Sequence, residues 1–428
     1  MNTISRPPVS RRDLMRGVGA AATAFTIIEP QLVRGAGREK LKAGLIGCGG
    51  RGTQAIVDTL TGDDRIEVVA MGDLYEDRLE RSIREVRGRK NFEEFGGRFK
   101  VDPEHHFVGP EAYKKVIASD IDIVMLATPP AYRPMHFEAA VAAKKHIFCE
   151  KPVGTDAVGV RRFMAAARKS EELKLTVMSG AQRRNDRNYV ETVKKIQDGA
   201  LGEIVATYAN WIDGPVIHVK AREPQWTDTE WQHRAWYSHV WICGDQIVEQ
   251  HLHNIDVCNW VMGTHPVKVT AVGGAAWRPR TEVYGNIFDH VAAEFTYANG
   301  VRLTSCCRQF PAPPDGKIMR IVNELIVGTK GKSNAHDLGP NEATKPYVAE
   351  HTAMMKSIRG DGKYINDAMA IAESTLTCIM GREAAYSGLE ITWDMIMNSQ
   401  QDLFPKQLGG DVKLEVPPLP VPGVYRFV

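Results

Sequence analysis

One stretch limits the fold more than any other. An apolar run, Leu41-Lys42-Ala43-Gly44-Leu45-Ile46, passes directly into Gly47-Cys48-Gly49-Gly50-Arg51-Gly52, and Thr53 to Leu60 continues with helical character. A strand, a G-x-G-x-x-G turn and a helix in that order form a cradle for a dinucleotide pyrophosphate. Gly47 allows the tight turn, Gly49 lets the backbone approach the phosphates, and Gly52 lets helix and strand pack closely. Cys48, Gly50 and Arg51 complete the binding turn, and the free N–H groups of the helix start face the anion. A second strand, Ile66 to Met71, ends at Gly72-Asp73. An acid at that distance accepts from a ribose 2′-hydroxyl and repels a 2′-phosphate, so NAD is expected over NADP. Further strands, Ile121 to Ala127 and His146 to Cys149, flank a helix from Met135 to Lys144. This alternation predicts a doubly wound parallel sheet with ligands at its carboxyl ends, where Thr128-Pro129 and Glu150-Lys151-Pro152 fall.

The first forty residues read differently. Ser10-Arg11-Arg12-Asp13-Leu14-Met15 precedes an uncharged run from Gly17 to Ile28. That run is shorter than the ~20 apolar residues a membrane span requires. A basic start before a short apolar stretch is expected to be a signal peptide, here of twin-arginine type. Residues 1–37 are therefore set apart from the fold. Export machinery is an expected partner, and a periplasmic or otherwise exported location is expected. The 428 residues carry 54 basic and 52 acidic side chains, a net charge of +2. That balance argues against nucleic-acid binding, and seven cysteines are too few for a disulfide scaffold.

Residues 38–155 are expected to form the dinucleotide-binding unit and residues 156–428 an α+β domain with C-terminal helices. One more helix and strand, to Ser179, complete or border the first sheet. Beyond Ile204 the runs Ile204–Trp211, Val267–Val272, His290–Tyr297, Val301–Cys307 and Ile321–Val327 alternate like strands. Ala298-Asn299-Gly300 reads as a hairpin turn, so a largely antiparallel second sheet is expected.

Within Gly244 to Asp256, helical spacing lines up Val248, Leu252 and Ile255 as an apolar stripe. Glu249, His253 and Asp256 then form the neighbouring stripe, which suits a cleft wall, while His251 faces away. Trp211 to Trp241 holds five of the eight tryptophans, with Tyr237, His218, His233 and His239 among them. Such rings, Trp236 and Tyr237 included, suit a sugar's C–H face, and equally a packed core or a subunit interface. Arg183 and Arg184 read as a substrate contact or an exposed basic turn. Glu249 and His253 offer a metal no third ligand at recognised spacing, so no metal is expected.

The glycine motif, Asp73, Thr128-Pro129 and Glu150-Lys151-Pro152 together resemble the Gfo/Idh/MocA oxidoreductases. The resemblance runs on through Gly202-Glu203-Ile204, the Glu249–Asp256 stretch, Leu325 to Gly331 and Glu373 to Gly388. It implies His253 as the acid/base, Lys151 as the group that polarises the reacting oxygen, and Glu249 as the orienter of a neighbouring hydroxyl. Glu150 would lie near the cofactor. Three positions depart from the family pattern: Glu249 for the usual Asp, His251 for a small residue, and Arg133 for a histidine. Arg133 and His136 could still face the cleft. The expected activity is oxidation of a hydroxyl on a sugar, polyol or glycoside, in a homo-oligomer. An exported enzyme meets little free NAD, so a tightly bound, internally recycled cofactor is expected. The alternatives are a glycoside hydrolase working by transient oxidation and a non-catalytic sugar-binding protein.

Overall fold

The computed structural model describes residues 40–216, 219–410 and 412–428. The twin-arginine segment and His218 lie outside them. No helix among the described residues is long and apolar enough to cross a membrane.

Six strands form the first sheet: β1 (Leu41–Ile46), β2 (Ile66–Asp73), β3 (His106–Val108), β4 (Ile123–Leu126), β5 (His146–Cys149) and β6 (Val177–Ser179). Their order is β3-β2-β1-β4-β5-β6, with all pairings parallel. β4 and β5 are buried at every position, as a sheet covered on both faces requires. The order reverses between β1 and β4, which opens a crevice above their carboxyl ends.

The boundary expected at residue 155 falls inside this layer. The Ala157–Glu172 helix, capped by Asp156 accepting from Gly159 N–H (2.6 Å), delivers β6 to the sheet and completes a crossover. A later helix, Pro346–Arg359, also returns to the nucleotide half. Its Met354, Met355 and Ile358 share a core with Leu45, Ile56 and Leu60. His351 Nδ1 is hydrogen-bonded to Thr59 Oγ1 (3.0 Å), and Arg359 pairs with Asp63 at 2.5 and 2.9 Å.

The second sheet contains β7 (Ile204–Asp213), β8 (Lys268–Gly274), β9 (His290–Thr296), β10 (Arg302–Gln309), β11 (Ile321–Gly328), β12 (Gly331–Ser333) and β13 (Ile391–Thr392). Its order is β12-β11-β7-β10-β9-β8-β13. Only β7 and β10 run parallel, so the sheet is mostly antiparallel. The turn between β9 and β10 closes through Tyr297 N–H to the Val301 carbonyl (2.9 Å), with Gly300 at φ +86°. Along β10, Leu303, Ser305 and Cys307 point inward and Arg302 and Thr304 outward. The Ala368–Ser387 helix fills the space behind this sheet. All seven cysteines are free thiols.

Candidate active site

The strand ends of the first sheet open into one cleft of about 1140 Å³. Its floor is the glycine turn. Gly47 sits at φ +96°, and a side chain there would meet Thr128 N at 2.5 Å. A Cβ on Gly52 would meet the Gly47 carbonyl at 2.1 Å, so the helix can approach the strand only as glycine. Nothing lies within 4 Å of a Cβ on Gly49 or Gly50, which leaves that face open to a phosphate. Asp73 lines the cleft, accepting from Cys48 N–H (2.7 Å) and Tyr75 N–H (3.0 Å). Burial holds its carboxyl above the usual range, and those N–H bonds oppose the shift. Thr128 and Pro129, at the end of β4, form the opposite wall. This donor set and open turn fit NAD.

Arg51 also borders the cleft, but its guanidinium is already committed. It pairs with Glu150, with Asp58 (3.2 Å) and with Glu350 (3.4 Å), and lies 4.5 Å over the Tyr347 ring. Arg51 thus anchors the turn to Glu150, whose other oxygen sits 3.3 Å from Lys151 N–H.

The chemical end centres on Lys151, which follows β5 and precedes a cis bond to Pro152. Its Nζ donates to the Glu249 carbonyl (2.5 Å) and to Glu249 Oε1 (3.1 Å). That carbonyl is available because the helix expected within Gly244 to Asp256 is broken. One short helix, Gln246–Glu249, ends there, and another, Leu252–Met262, begins after two intervening residues. At the break His251 N–H reaches back five residues to the Gln246 carbonyl (3.2 Å), a π-type slip. His253 N–H turns to Gln250 (3.4 Å) instead of Glu249.

The slip also divides the expected polar stripe. Glu249 and His253 line the cleft, but Asp256 does not. Asp256 accepts two bonds from Arg184 (both 2.8 Å) and one from Ser374 Oγ (2.8 Å), so it is a structural ion pair and no substrate ligand. Arg184 is correspondingly no exposed turn residue. Arg183 also points away from the cleft, pairing with Glu324 and donating to the His253 carbonyl (3.3 Å). Trp236 lines the cleft, whereas the next residue, Tyr237, faces the core and bonds Gln309 (2.8 Å). His251 is bonded to Ser305 Oγ at 2.8 Å.

His253 stacks on Trp211, with centroids 6.0 Å apart and planes 24° from parallel. Burial holds its pKa well below the usual value, and the charges of Lys151, Arg183 and Arg51 push the same way. Its imidazole is therefore neutral. His253 Nδ1 and Glu249 Oε2 are buried without hydrogen-bond partners among the described residues. Arg133, which donates to the Pro152 carbonyl (2.6 Å), and His136, stacked on Tyr113 (4.4 Å), both border the cleft. Burial and the Arg133 charge hold His136 down at about 3. Among the described residues, no group of three or more His, Cys, Asp and Glu could hold a metal ion.

The sequence reading missed Tyr75, Tyr132 and Arg234 on the cleft wall, and it noted His233 only as part of an aromatic stretch. The one available signal was Tyr75 following two residues after Asp73.

Two family models match. Residues 41–179 match an oxidoreductase family with an NAD-binding Rossmann fold, and residues 189–333 match the GFO/IDH/MocA C-terminal domain. Inositol 2-dehydrogenase of Rhizobium meliloti is 29% identical over 154 residues, 36% of this chain and 40% of that protein. Myo-inositol 2-dehydrogenase of Thermotoga maritima is 24% identical over 233 residues, 54% and 58% respectively. The chain thus spans about half the length of the curated relatives it matches. A solved scyllo-inositol dehydrogenase from Lactobacillus casei, with bound NAD(H) and scyllo-inositol, superimposes with a TM-score of 0.62 at 18% identity, covering 82% of this chain and 99% of that one. An aldose-aldose oxidoreductase from Caulobacter crescentus gives 0.61 at 17% identity, with the same coverages. At such identity the likeness speaks for the fold. Matched in order by models of both its halves, the chain belongs to the GFO/IDH/MocA family of oxidoreductases.

Proposed function

We propose that this protein is an NAD-dependent oxidoreductase that converts a secondary hydroxyl of a polyol or sugar to a carbonyl. The observation that carries this reading is the meeting of Lys151, Glu249 and His253 in the same cleft as the open glycine turn and Asp73. Bound NAD would supply the two-electron acceptor for the hydrogen leaving the carbinol carbon. The residues of the chain handle the proton and the charge. Lys151 spends two of its three N–H donors on Glu249 and keeps one for the substrate oxygen. That bond stabilises the negative charge that develops as the O–H bond breaks. His253, neutral for the reasons given, takes the hydroxyl proton. The free Glu249 Oε2 accepts from a neighbouring hydroxyl and so selects substrates with vicinal oxygens.

The substrate class draws support from the inositol dehydrogenases and the aldose-aldose oxidoreductase among the similar proteins. Arg11-Arg12 and the apolar run behind them support an exported enzyme, and scarce external NAD supports a cofactor recycled within the site. The test is to supply NAD and a panel of inositols, aldoses and glycosides and to follow the reduced nicotinamide and its bound fraction. Turnover of at least one vicinal polyol is expected. A folded protein that binds the polyols but reduces no nucleotide would establish the binding-protein alternative.

A further inference from the structure

We infer that Trp226 to Trp236 of the second half, with Phe404 to Gly409, form a roof latched over the ribose end of the cleft, and that this roof makes the dinucleotide a captive group. The inference rests on the cofactor assignment above.

The latch starts beside the ribose-binding acid. Arg234 makes a bidentate pair with Asp77, Nη1 to Oδ2 and Nη2 to Oδ1, both at 3.0 Å. Asp77 lies in the first turn of the helix Glu76–Arg87, four residues past Asp73. Arg234 is held in turn by Glu230 (Nε to Oε1, 2.8 Å), and its guanidinium lies over the rings of Tyr75 (4.9 Å) and Trp226 (5.1 Å). Planar stacking and a forked pair fix its direction as lysine could not.

A second tie sits alongside. His233 Nδ1 is hydrogen-bonded to Tyr75 OH (2.8 Å) and Nε2 to Tyr132 OH (2.6 Å). The two phenols come from opposite sides of the glycine turn, one following β2 and the other following β4. A single imidazole from the other half of the chain bridges them. Burial lowers the His233 pKa to about 4, so the ring is neutral, with one nitrogen donating and the other accepting. Phe404 closes edge-on against Tyr132 at 5.3 Å, and Gly409 N–H bonds Thr229 Oγ1 at 3.0 Å. Tyr75, His233, Arg234, Phe404 and Gly409 all line the cleft.

No single tie here is strong. Together they must open at once before a dinucleotide can leave, so their effect falls on the rate of release.

The test loads the full chain with NADH and adds excess NAD, following release by nicotinamide fluorescence. Asp77→Asn removes the forked ion pair at an exposed position and leaves the aromatic contacts. Release is expected to be about twofold to fivefold faster than in the wild type. Arg234→Ala, which also loses the ring contacts, should release faster still; where it does not fold, Asp77→Asn decides. Equal release rates in Asp77→Asn and the wild type would overturn the roof. A folded wild type that binds neither NADH nor NADPH would instead overturn the cofactor assignment beneath it.

Discussion

Lys151–Glu249 and Arg184–Asp256 are both buried ion pairs, and their acids lie seven residues apart on what the sequence presents as one helix face. Their bonding differs. Asp256 accepts three bonds within the protein and has Arg184 stacked on Trp260 (5.3 Å) beneath it. Glu249 keeps one buried oxygen unpartnered among the described residues, Lys151 keeps one donor, and both residues line the cleft. A saturated pair can only hold structure. A pair with spare valences on a cavity wall can be completed by a ligand. Burial and charge alone do not separate the two; the count of satisfied lone pairs does.

The largest expected effect tests the open pair. Lys151→Met, or His253→Ala, should lower turnover by about 10³- to 10⁴-fold while nucleotide titration stays unchanged. Full activity in Lys151→Met would remove the distinction altogether. Next comes the closed pair. Asp256→Ala strands Arg184 in the core and should cost about 3–5 kcal/mol in denaturant unfolding, with turnover per folded molecule preserved. A stable but inactive Asp256→Ala protein would reverse the assignment. Glu249→Gln keeps the size and loses the charge, and a KM increase of about tenfold is expected, with a smaller change in kcat.

The smallest effect concerns His251, between the two pairs. Burial holds its folded pKa at about 3, below the ordinary value near 6.5, so the unfolded chain binds the proton first. Its contribution to stability is complete above pH 6.5 and is lost as pH falls from there toward 3. Replacing it with Asn should flatten the acid side of the stability curve by about 1.4 kcal/mol per pH unit. An unchanged slope would mean that His251 is solvated.

The nucleotide end was legible because it is made of backbone. Glycines, a strand and a helix start carry the function, and each leaves a mark at fixed spacing, so Gly47 to Gly52 and Asp73 could be read directly. Lys151, Glu249 and His253 came through the resemblance, and the geometry does unite them. The split between Glu249 and Asp256 was not legible, because periodicity assumes an unbroken helix and the slip at His251 depends on tertiary bonds to Lys151 and Ser305. Arg183 and Tyr237 do not reach the cleft although their neighbours Gln182 and Trp236 line it, because in a one-turn segment adjacent side chains can face cleft and core. The roof was hidden because its partners, Asp77 and Arg234, lie 157 residues apart.

The helix Pro346–Arg359 has a consequence for the order in which the chain acquires structure. It supplies Met354, Met355 and Ile358 to the core of a unit whose other members begin at Leu41, so that unit is discontinuous in sequence. A ribosome that has made only the first 179 residues has produced all six strands of the first sheet but not the last of the helices that share the core on one side of it. Synthesis of the entire second sheet up to β12 intervenes before that surface can be sealed. The core of the nucleotide unit is therefore complete only after the chain has grown past Arg359.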